Sequence, residues 1–115
     1  MDEREQVIDR EIFDELREVM GEDLATLVTA FVNDGEKRIQ TLRQAHASRD
    51  FDTFRDTAHS FKGSSSNLGA ADLADLCARL QDTPVSEPQV PDMLKALEQE
   101  FVRACRDLER LVSAG

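Results

Sequence analysis

The sequence predicts an all-α fold, an antiparallel up-and-down four-helix bundle with an additional short N-terminal helix. Apolar residues recur at three- and four-residue steps along the whole chain, and nowhere is there the sustained alternation of a half-buried strand. All three prolines fall within residues 84–91, so the other segments carry no helix breaker of that kind. A length of 115 residues fits one hydrophobic core better than two, and a single domain over residues 1–115 is expected.

The first helix opens at Asp9, whose short carboxylate side chain suits an N-cap, places Ile12, Phe13, Leu16 and Met20 on one side, and stops at Gly21. A second helix carries Leu24, Leu27, Val28, Phe31, Gly35, Ile39 and Leu42 on its apolar stripe, with Asp34, Lys37 and Arg38 on a face expected to be solvated. The third begins near Asp50 or Asp52, aligns Phe51, Phe54, Ala58, Phe61 and Ser65, and is expected to fade in the "SSSNLG" stretch. After Gly69 a fourth helix presents Leu73, Leu76, Cys77 and Leu80, and "DTPVSEPQVP" ends it. The last helix is expected to follow Pro91, with Leu94, Leu97, Phe101, Ala104, Cys105, Leu108, Leu111 and Val112 as the cleanest stripe in the chain. Connections this short favour sequential antiparallel neighbours, with the first helix as a lid on the other four.

Composition narrows the function. With 24 acidic and 14 basic residues the formal net charge is −10, which disfavours nucleic acid and anionic lipid as partners. No apolar stretch approaches the roughly 20 residues that span a bilayer, and "MDEREQVIDR" lacks the basic start and apolar run of a signal peptide, so a cytoplasmic, monomeric protein is expected. Cys77 and Cys105 stand 28 positions apart without a CxxC pairing, which reads as two buried, reduced thiols rather than a zinc or redox site.

One stretch runs against helical propensity. Within "AHSFKGSSSNLGA", residues 58–70, a glycine that costs about 1 kcal/mol relative to alanine sits inside a helix, followed by three serines. At about 100° per residue, His59 lies well over 90° from the Phe54–Ala58–Phe61 stripe and points outward, sharing its face with Arg55, Lys62, Gly63 and Ser66. Imidazole is a competent nucleophile at neutral pH and holds a phosphoryl group in a form that can be passed on. A lysine beside it offsets the added negative charge, and a glycine lets a partner approach the ring. A plain exposed histidine beside a glycine at a helix crossing accounts for the same spacing. So, more remotely, does a metal site built from Asp52, Asp56 and His59, although di-iron bundles need paired Glu-x-x-His segments and His46 lies in a polar helix end. A helical adaptor that grips a partner helix is a further alternative, but it leaves this histidine face unexplained.

The segment "AHSFKGSSSNLGAADLADLCARLQ", residues 58–81, resembles the signature of histidine-containing phosphotransfer (HPt) domains of two-component phosphorelays. That resemblance implies a phosphorylated histidine at His59, an adjacent cation at Lys62, an access-giving small residue at Gly63, and Gln81 as the residue that hydrogen-bonds the imidazole from the neighbouring helix. Gly69 matches the turn glycine between the two helices. The implied partners are receiver domains of a hybrid sensor histidine kinase and of a response regulator. They are expected to bring the aspartate and Mg²⁺, leaving this chain a non-enzymatic intermediate without a cofactor of its own. No ATP-binding pattern, phosphate loop or receiver-like strand pattern is present, so a stand-alone module is expected.

Overall fold

Asp9 accepts hydrogen bonds from the amides of Glu11 and Ile12 at 3.0 and 3.3 Å and so starts α1, Arg10–Met20, in a computed structural model that describes residues 7–114. Residues 1–6, the start of the stretch read as lacking a signal peptide, and Gly115 at the end of the expected domain lie outside the described residues. Gly21 ends α1 at a φ of 54°, which a side chain would strain, and its amide closes on the Arg17 carbonyl at 2.9 Å. Then follow α2, Asp23–Ser48; α3, Phe51–Asn67; α4, Ala71–Asp82; and α5, Val90–Ala114, with no strand among the described residues.

Each expected helix is present, and the differences lie at the boundaries. Asp50 rather than Asp52 caps α3, accepting from the Thr53 amide at 3.2 Å and the Thr53 hydroxyl at 2.7 Å. Through the serines α3 runs on to Asn67, because Ser65 is buried on the apolar stripe and Ser64 is held from α2 by Arg38. Val90 begins α5 one residue before Pro91, which occupies a first-turn position where a missing N–H breaks no helical bond.

The four long helices close into a ring, α2 on α3, α3 on α4, α4 on α5 and α5 back on α2, while α1 packs on α2. At its centre Phe31, Phe61 and Phe101 meet with ring centroids 5.8–6.4 Å apart in tilted and edge-on arrangements, which suit aromatic quadrupoles better than stacking face to face. Leu42, Leu73, Leu80, Leu97 and Leu108 are fully buried in the same core. Gly35 makes this packing possible, since a Cβ there would lie inside the contact envelope of the Phe101 ring.

Burial extends to the first turn of α1 and the residues before it. Phe13 is fully buried, Arg17 lies over its ring and donates to the Leu111 carbonyl, and the Asp107 carboxylate on α5 accepts from the amides of Val7 and Ile8 at 2.9 and 2.8 Å and pairs with Arg110. The Gly69 carbonyl accepts from the Asp9 amide at 2.9 Å, so the α3–α4 turn and the start of α1 hold each other. Both cysteines are buried and free, and desolvation pushes their thiols up to about 12.

Alongside the unpartnered Ser65 hydroxyl, Glu100 is a poorly paired buried group. It is 8% exposed, one oxygen pairs with Arg103 at 2.8 Å, and the other, Oε2, is buried without a partner. Burial raises its pKa, Arg103 opposes the shift, and Asp72 adds to it. A carboxyl that holds its proton more tightly folded than unfolded contributes stability that is full below the ordinary glutamate pKa and is lost as pH rises through the raised value. Glu100→Gln is therefore expected to melt above the parent at pH 7, with the gap narrowing toward pH 4. A gap that is constant across a pH series of melting curves would show that this burial carries no titrating penalty.

Candidate functional site

The imidazole of His59 stands on the exposed side of α3, eight residues before the helix ends, because the buried stripe of Phe54, Ala58, Phe61 and Ser65 turns the opposite side inward. Its Nδ1 lies 3.3 Å from Oε1 of Gln81, which α4 brings alongside as it runs back from the Gly69 turn. An imidazole protonated on Nδ1 would donate to this amide carbonyl oxygen and keep an unshared electron pair on Nε2, directed away from Gln81. Only a tight turn lets two helices return side by side within so few residues. Gly69 supplies it at a φ of 80°, where a Cβ would also press on the Asp9 carbonyl oxygen at 3.1 Å.

Gly63, one turn after His59, has open space around it: an added Cβ would meet nothing within 4 Å. The glycine in the histidine stretch is thus not at a helix crossing; that role belongs to Gly35. Lys62 and Arg55 are exposed on either side of His59, and Arg55 faces Asp52 at 3.6 Å. The structure therefore assembles His59, Lys62, Gly63 and Gln81 at one place. Asp52 and Asp56 are exposed, and among the described residues no group of three His, Cys, Asp or Glu side chains is placed to hold a metal ion. His46 is half-buried in the last turn of α2 rather than freely solvated.

Two residues near the site depart from the sequence reading. Arg38, expected on a solvated face, is half-buried; it donates to the Ser64 hydroxyl at 2.6 Å and its guanidinium carbon lies 6.0 Å from the Phe61 ring centroid. Its position seven residues after Phe31 places it on the flank of the α2 stripe, a signal that its charge overrode. Phe51, expected in the buried stripe, is 55% exposed, while Phe54 in the next turn is 2% exposed. As the first residue of α3 it has no preceding turn to cover it.

The Hpt domain family model matches residues 26–114, a span that holds α3, α4 and every residue of this site. The chain belongs to the Hpt family. The crystal structure of histidine-containing phosphotransfer protein B (HptB) from Pseudomonas aeruginosa PAO1 superposes with a TM-score of 0.89 and 31% sequence identity, over 96% of this chain and 97% of that one. No curated protein sequence matches the chain. As an Hpt domain it is a histidine phosphotransfer protein of a phosphorelay, a carrier rather than a catalyst, of a kind that works with receiver domains. The Hpt fold here is the five-helix arrangement that the periodicity predicts, and among the described residues no helix is long and apolar enough to cross a membrane.

Proposed function

We propose that His59 carries the phosphoryl group, accepting it from the receiver-domain aspartate of a hybrid sensor kinase and passing it to the receiver aspartate of a response regulator. The observation that supports this best is the pairing of Nδ1 with Gln81 Oε1 on an exposed ring, because it leaves Nε2 as a free nucleophile beside the open space at Gly63. In the forward step the Nε2 electron pair forms an N–P bond as the P–O bond to the aspartate breaks, and the carboxylate leaves with that electron pair. The proton on Nδ1 stays in place, so no base has to move. Positive charge that develops on the ring is shared with the Gln81 carbonyl oxygen, and Lys62 lies where it can offset the phosphoryl oxygens. Transfer to the second receiver is the same step reversed.

Mg²⁺ belongs to the receiver side of this reaction, where it screens the phosphoryl charge during in-line displacement. The Hpt chain contributes position, exposure and the tautomer, and needs no cofactor of its own. On this reading it works as a monomer in the cytoplasm, with neither nucleic acid nor membrane as partner.

Incubation of the protein with a phosphorylated receiver domain, followed by intact-mass analysis and peptide mapping, tests the proposal. One phosphoryl group, labile in acid and stable in base, is expected on His59. ATP and Mg²⁺ without a kinase should add none. Phosphate mapped to another residue, or uptake directly from ATP, overturns the assignment.

A further inference from the structure

A groove of about 330 Å³ runs along the outside of the bundle from Gln81 to the first turn of α3, walled by Phe51, Phe54 and Arg55 on α3 and by Gln81, Pro84 and Val85 beyond it. Its depth follows from the proline loop. Val85 is buried and pins the loop to the bundle, while Pro84 and Phe51 stay exposed. Two of the walls also belong to the histidine face. Gln81 holds the imidazole, and Arg55 sits one turn before it on the same side of α3. The groove is therefore continuous with the surface that a phosphoryl donor must cover.

Size decides who fills it. Phe51 precedes His59 by eight residues, a rise of about 12 Å along α3 and a rotation of about 80° about its axis. Even a transient protein–protein contact at the low end of specific interfaces covers about 600 Å² on each partner, equivalent to a disc of about 14 Å radius. With the rotation included, Phe51 falls at the rim of such a contact centred on His59. A large apolar side chain left more than half exposed at that edge then has a partner to bury it.

We propose that this groove is a docking subsite for the receiver domain, with Phe51 as an apolar anchor that sets affinity and partner choice without touching the reacting atoms. The inference rests on His59 being the phosphorylated residue. The receiver is expected to place an apolar side chain between Phe51 and Val85 and an acceptor opposite Arg55. Phe51 acts on encounter only, because it stands two turns of α3 before His59.

The test compares the parent, Phe51→Ser and Phe51→Leu as acceptors from a phosphorylated receiver domain, with phosphoramidate as a small phosphoryl donor that needs no docking. Phe51→Ser should raise the half-saturating receiver concentration about tenfold, within the range of a truncated interface anchor, while the rate at saturation stays within twofold. Phe51→Leu should recover most of the affinity, and phosphoramidate should label all three at His59 equally. An unchanged half-saturating concentration overturns the docking subsite and leaves the His59 assignment standing. A parent protein that neither donor labels at His59 overturns both. Amide shifts of the ¹⁵N-labelled parent on adding the receiver give a reading that needs no variant: movement of the Phe51 and Val85 signals supports the subsite, and their constancy at saturation refutes it.

Discussion

Gly63→Gln should slow phosphotransfer from a receiver domain about a hundredfold or more while leaving the fold intact, and His59→Gln should take up no phosphoryl group at all. Gly63 has helical backbone and is exposed, with nothing within 4 Å of an added Cβ, so a glutamine there meets no steric obstacle inside the protein. It also restores helix propensity, and the melting temperature should hold or rise, by at most the equivalent of roughly 1 kcal/mol. Outside the protein the same side chain stands one turn from His59, where the phosphorus on the donor aspartate must come within bonding distance of Nε2. A displacement of about 1 Å in such a geometry is worth on the order of a hundredfold in rate. Melting curves and a transfer time course on one sample separate the two effects. Parental transfer by a folded Gly63→Gln protein would remove access as the reason for this glycine.

Gly35→Ala makes the opposite trade, a large loss of stability with no direct effect on the chemistry. The added Cβ would overlap the Phe101 ring, which is itself packed against Phe31 and Phe61. Overpacking of this kind costs about 1–3 kcal/mol, and the gain in helix propensity returns less than about 1. Since the overlap is with a buried aromatic ring rather than the tip of a flexible chain, a net loss of roughly 2 kcal/mol is expected, or about 8 °C in melting temperature for a domain of this size. Phe101→Leu shrinks the obstructing ring, so the double variant should be more stable than the sum of the single changes by about 1 kcal/mol or more. Strict additivity would mean that α2 and α5 relax apart at Gly35 and that the close crossing is not held by the ring.

The two glycines show how far the sequence reaches. Both lie in helices, both carry the same local propensity penalty, and spacing alone leaves a helix crossing open for either. Periodicity puts Gly35 on the apolar stripe of α2 and Gly63 on the face of His59, and the packing of α5 against α2 decides what each meets: a ring at Gly35 and open space at Gly63. Arg38 and Phe51 depart from their expected environments for a related reason. Periodicity assigns a residue to a side of its own helix, but the neighbour on that side decides whether a charge is solvated or a phenyl ring is covered. The buried Asp107 that holds the amides of Val7 and Ile8 left no trace in the pattern, because its partners are backbone groups about a hundred residues away in sequence.

The all-helical class, the order of the five helices, the caps of α1 at Asp9 and Gly21, and the outward direction of His59 are legible in the sequence, since all of these follow from interactions within a few residues of one another. The family motif, which is likewise local, added Lys62, Gly63 and Gln81 as companions of the histidine. Tertiary structure alone decided that Gln81 reaches Nδ1 at 3.3 Å, that the space beside Gly63 is open, and that a groove leads from Gln81 to an exposed Phe51. Each of these depends on the distance and rotation between two helices, which are set by how bulky side chains from different segments fit together, and no periodicity within one segment encodes them.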